Sequence, residues 1–216
     1  MDLTNGERSL MGRRLLRSIV AGALISVATA GCNATLSTSS PPASSAGLPD
    51  GHYTNVGAEW PLKFRAHTFG VSTYSTYGCR VEYGGRIRVD DPGERLQSSS
   101  EALGARYPDN MTAGMGPLPN FPPAAKVTWR SKDGTALQAE VDIGEIFKDE
   151  LIRHHVARED ALDPASSGTP GIILEVNDRT INVYMRDMIA LKESQFSDRP
   201  HSDFRNDLIK VFSRTY

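Results

Sequence analysis

Apolar and polar positions alternate through much of the chain. Leu62, Phe64 and Ala66 alternate with Lys63, Arg65 and His67, and Cys79, Val81 and Tyr83 with Arg80 and Glu82. A period of two is that of a strand with one face in a core. Gly84-Gly85 predicts a tight hairpin turn, after which Arg86 to Val89 returns. Residues 72–77 read as a loop or irregular edge. Residues 98–106 predict a short helix, with Ser100 as cap and Leu103 facing in. Residues 111–123 hold Gly114, Gly116, Pro117, Pro119, Pro122 and Pro123 and predict a long surface loop.

The second half is more regular. Residues 126–130 and 136–143 form a hairpin pattern around Asp133-Gly134. Val127 and Trp129 share one of its faces, so Trp129 is expected to be buried. Residues 145–153 take helical spacing through Ile146, Phe147, Leu151 and Ile152. After a loop at 163–171, residues 172–176 and 180–185 form a second hairpin, with Ile181, Val183 and Met185 alternating against Asn182, Tyr184 and Arg186. Residues 192–201 are a polar loop. From Ser202 onward Phe204, Leu208, Val211 and Phe212 predict an amphipathic helix. These elements amount to roughly six to eight antiparallel strands and two or three short helices. The fold class is β-rich α+β, an antiparallel sheet or, alternatively, a sandwich.

The amino terminus reads differently. Arg13, Arg14 and Arg17 precede the apolar stretch Ile19 to Ala28, too short to span a bilayer. Residues 1–31 are therefore a signal peptide, with Met11 as an alternative start to Met1. Thr29-Ala30-Gly31-Cys32 resembles a bacterial lipobox, with Thr29 standing where Leu is usual. That resemblance implies diacylation of Cys32, and Asn33 rather than Asp after it implies the periplasmic face of the outer membrane. Residues 32–48, rich in Ser, Thr, Ala and Pro and free of charge, form a flexible tether. Residues 49–216 then form a single periplasmic domain.

Charge narrows the function. Of 24 Lys and Arg against 26 Asp and Glu, the leader removes four basic and two acidic residues. The remainder is acidic by about four charges, which disfavours a general nucleic-acid binder. No serine-hydrolase elbow, phosphate loop, Cys-x-x-Cys or His-Glu-x-x-His is present, so no catalytic residue, metal or cofactor is assigned. His154-His155 is read as a solvated helix end and the acid pairs as solvated surface. Cys79 is expected to be buried rather than reactive or paired, and Cys32–Cys79 would be a poor staple. Glu175 interrupts an apolar strand. It either faces solvent, the simpler reading, or makes a buried ion pair with Arg179, Arg130 or Arg186. Aromatic residues in polar surroundings suggest a protein contact, with Trp60, Tyr74, Tyr77 and Phe121 as anchors and Asp109 at the rim.

Residues 127–134, Glu140 to Ile143, Ile146-Phe147 and residues 173–185 resemble small uncharacterised proteobacterial lipoproteins found with antibacterial secretion effectors. Some of those act as periplasmic immunity proteins. The resemblance spans about residues 122–216 and implies no cofactor and no catalytic residue. The expected function is non-enzymatic. A membrane-anchored lipoprotein would bind a protein partner, a secreted toxin being the concrete case. The alternatives are a cell-envelope hydrolase and a structural component of an envelope or secretion apparatus.

Overall fold

The computed structural model describes residues 60–163, 165, 167–199 and 201–216. The leader, Cys32, the tether and the first residues of the domain lie outside the described residues. Strand β1 (Ala66–Tyr74) passes straight into β2 (Thr76–Tyr83) through Ser75, whose φ is 52°. That one left-handed residue carries the chain from one sheet to the other, across a stretch expected to be a loop.

The first sheet has the order β3-β2-β5-β6, all antiparallel. Its other members are β3 (Arg86–Asp90), β5 (Ala125–Ser131) and β6 (Ala136–Val141). Both expected tight turns are present. Gly84 and Gly85 have φ of 60° and 70°, a region glycine enters without strain. At the other turn the Asp133 carboxylate accepts the Thr135 amide at 3.0 Å.

The second sheet has the order β11-β8-β7-β1-β4. It adds β4 (Met115–Pro119), β7 (Gly171–Asn177), β8 (Thr180–Arg186) and β11 (Leu208–Thr215). The β1–β7 pair is parallel, so the sheet is mixed rather than wholly antiparallel. A small third ladder joins β9 (Ile189–Ala190) to β10 (Phe204–Arg205).

The two main sheets share one core. Cys79, Val81, Tyr83, Val127 and Trp129 from the first meet Phe69, Ile172, Leu174, Val176, Ile181, Val183 and Met185 from the second. Fully burying one such side chain contributes roughly 1.5–3 kcal/mol. Trp129 is 3% exposed, as expected, and its indole N–H donates to the Asp178 carbonyl at 2.6 Å. Cys79 is buried as a free thiol, and burial pushes its pKa up to about 12.

The outer faces differ. That of the first sheet carries exposed Arg80, Glu82, Lys126, Thr128 and Arg130. That of the second is covered by residues 100–113, which begin with the 3-10 segment Ser100–Arg106 and pack Leu103, Tyr107 and Met111 onto Tyr74, Ile173 and Tyr184. Strands β7 and β8 are therefore buried on both sides.

Three further elements differ from expectation. The helix at 145–153 is a single turn, α1 (Ile143–Ile146), capped by the Asp142 carboxylate on the Glu145 amide at 2.9 Å. Beyond it the backbone pairs with the chain near β1: Ile152 N–H donates to Leu62 O and Phe64 N–H to Glu150 O. The carboxy-terminal helix is instead β10 and β11. A bulge between Lys210 and Phe212 turns both Val211 and Phe212 toward the core, which gives a strand the spacing of a helix. The loop at 111–123 contains β4, which pairs with β1.

Candidate functional site

Among the described residues, three clusters of polar side chains lie inside the fold and a fourth borders open grooves. The first is Glu175 on β7, which is fully buried. It does not face solvent, and its partners are neutral rather than arginines. Its carboxylate accepts from Tyr107 Oη at 2.8 Å, Tyr184 Oη at 2.9 Å, Asn182 Nδ2 at 2.7 Å and Asn177 Nδ2 at 3.3 Å. Burial, then the neighbouring carboxylate, raises the phenol pKa of both tyrosines. The overlying segment is fastened elsewhere too. Asn177 donates to Ser100 Oγ, Asn110 donates to Tyr74 Oη, and Arg186 bonds Asp109 and Met111. A Cβ at Gly70 would run into the Thr112 carbonyl oxygen, so that seam has no clearance.

The second place is His67, also fully buried. Asn120 donates its amide to Phe64 O, which turns Asn120 Oδ1 toward His67 Nδ1 at 3.0 Å. Nδ1 is then the protonated nitrogen, and Nε2 accepts from Tyr83 Oη at 3.1 Å. Burial keeps this imidazole pKa below its ordinary value, and Arg88 adds to that. In both clusters the polar groups are buried and bond one another.

The third is Asp187, just after β8. It is 6% exposed, Oδ1 accepts the Met188 amide at 2.9 Å, and Oδ2 has no partner. Burial raises its pKa to about 7. It stands at the base of an arm, residues 187–207, that carries β9 and β10.

The fourth place is the arm itself. Ala161 bridges Leu191, Leu162 N–H donates to Ala190 O, and Lys192 N–H donates to Asp160 O. Segment 155–163 and the arm thus run side by side. A cavity of about 390 Å³ opens between them, lined by His155, Glu159, Asp160, Lys192, Glu193 and Arg205, among others. Beyond the ridge of Gln195 and Arg205 a second cavity of about 590 Å³ is lined by Phe196, Asp198, Arg199, Phe204 and Asp207. Gln195 spans the arm by donating to Phe204 O. Among the described residues five large apolar side chains are exposed, and three of them, Leu162, Met188 and Phe196, belong to these two segments.

The five residues expected at a contact fall in separate places. Trp60 is half-buried, with its ring 5.0 Å from that of His154 and the Arg158 guanidinium 5.6 Å away. Tyr74 is buried under residues 100–113. Tyr77 lies on the first sheet beneath Arg130. Asp109 is exposed and paired with Arg186 at 3.0 Å. Phe121 packs on Phe64 and His67.

This surface escaped sequence reasoning because segment 155–163 and the arm are some thirty residues apart and read separately as a solvated acidic stretch and a polar loop. Exposed Phe196 inside that polar loop was the available signal. Chemically, the grooves offer carboxylates, an imidazole and guanidinium groups. His155 Nδ1 stands 3.8 Å from Asp207 Oδ2, beyond hydrogen-bond reach. The Ser202 hydroxyl is held by Phe196 and Arg199 backbone atoms. Among the described residues no group of three or more His, Cys, Asp or Glu is placed to hold a metal ion. Comparison with protein-family models, curated proteins and solved structures finds no match to this chain.

Proposed function

We propose that this chain is a lipid-anchored protein of the bacterial envelope that works by binding another protein, with the arm and segment 155–163 as its contact surface. The observation that carries the reading is that three of the five exposed large apolar side chains among the described residues belong to the two segments that enclose the adjoining grooves, Phe196 lining the second. An immunity protein held at the outer membrane by acyl chains on Cys32, masking a secreted toxin, is its most concrete form.

Two measurements test the proposal. Radiolabelled palmitate enters the wild type and is lost in Cys32→Ser; label retained by the variant, or a soluble mature wild type, contradicts the anchor. Expressed in the periplasm beside a toxin encoded nearby, the chain protects the cell, and Phe196→Ala with Leu162→Ala weakens protection while the fold is kept. Turnover of a cell-wall or lipid substrate by the purified domain, without protection, replaces this reading with a hydrolase.

A further inference from the structure

We infer that the surface this chain binds is basic, with an apolar side chain at its centre; the inference rests on the partner-binding reading above. Glu159, Asp160 and Glu193 stand exposed around the first groove and Asp198 at the second. None of the four is in an ion pair among the described residues, whereas the cations beside them are engaged. Arg205 grips the Asp207 carboxylate through Nε and Nη2, and the Lys192 ammonium donates to the Glu159 carbonyl oxygen at 2.6 Å. The Arg199 guanidinium lies 4.8 Å from the Phe196 ring centre. Taken together the two grooves are lined by five carboxylates, Glu159, Asp160, Glu193, Asp198 and Asp207, against three fixed cations, Lys192, Arg199 and Arg205, so they keep an excess of negative charge, concentrated at the first groove, beside a half-exposed aromatic ring. Charge of one sign at a rim mainly speeds encounter and selects against like-charged partners, while a central apolar contact supplies the lasting affinity.

That division is testable without knowing the partner. The probes are three synthetic peptides with the same central Phe, flanked by Arg and Lys, by Ser and Gly, or by Glu and Asp. Binding to the full mature domain is followed by anisotropy, and backbone NMR shifts locate the site. The basic peptide binds at residues 155–163 and 187–207, at least about tenfold tighter than the neutral one, and this advantage shrinks as salt is raised. Glu159→Lys with Glu193→Lys removes the advantage; Phe196→Ala weakens the basic and neutral peptides alike. Both changes lie on exposed side chains, and an unchanged spectrum elsewhere confirms the fold. Equal binding of the basic and neutral peptides overturns the charge inference and leaves the contact surface standing. Shifts confined to another face, or no binding by any of the three, overturn both.

Discussion

Residues 100–113 and residues 187–207 are both irregular, polar segments laid against the same β-rich body. The first spends its polar groups on the molecule. Tyr107, Asn110, Asp109 and Ser100 each bond a side chain of the sheet below, and Gly70 brings the backbones into contact. The second bonds Gln195, Ser202 and Arg205 within itself but leaves Glu193 and Asp198 outward and unpaired, beside an exposed Phe196 and two open cavities. Conspicuous chemistry is thus a poor guide to a binding surface here. The buried Glu175 with its two tyrosines stands out most in the sequence, and it seals the fold. The plain acidic stretch is the part left open.

Four perturbations sharpen the contrast. The shared core sets the upper limit: Trp129→Ala costs about 3–5 kcal/mol in denaturant unfolding, and a midpoint that hardly moves contradicts full packing. Next is Asp187→Asn at the base of the arm. The folded carboxyl holds its proton to about pH 7, while the unfolded one releases it near the ordinary carboxylate value. The Asp187 contribution to wild-type stability therefore falls as pH rises between those two values and is level above pH 7. The amide side chain of the Asp187→Asn variant removes that slope and raises stability at pH 8 by on the order of 4 kcal/mol; a parallel pair of pH curves contradicts the buried carboxyl. Tyr107→Phe removes one hydrogen bond to Glu175 and costs about 1–2 kcal/mol, with faster amide exchange confined to residues 100–113. Phe196→Ala shifts stability by less than about 0.5 kcal/mol, and a larger loss means that the arm packs its aromatic inward.

What was legible in the sequence follows the same division between local and assembled features. Both tight hairpins could be read because Gly84-Gly85 and Asp133-Gly134 supply the turn geometry and their strands alternate strictly. The last strand could not, since its bulge places Val211 and Phe212 side by side toward the core. Nor could the short helix, whose second half forms backbone bonds to Leu62 and Phe64, some ninety residues earlier. Glu175 misled because β7 is covered on both faces, which erases the alternation that would have placed it. None of the residues expected at a contact lines these two grooves, and Tyr77 borders a separate cavity of about 530 Å³ on the first sheet. The surface at the grooves exists only where segment 155–163 meets the arm.

The central claim is that the arm, rather than the sealed face, meets the partner. Amide hydrogen exchange of the mature domain, alone and with the protein that cross-links to it in cells, tests this directly. The account predicts new protection in residues 155–163 and 187–207, with residues 100–113 unchanged. Protection appearing on residues 100–113 or on the exposed face of β2 and β5, with the arm exchanging as before, would contradict it.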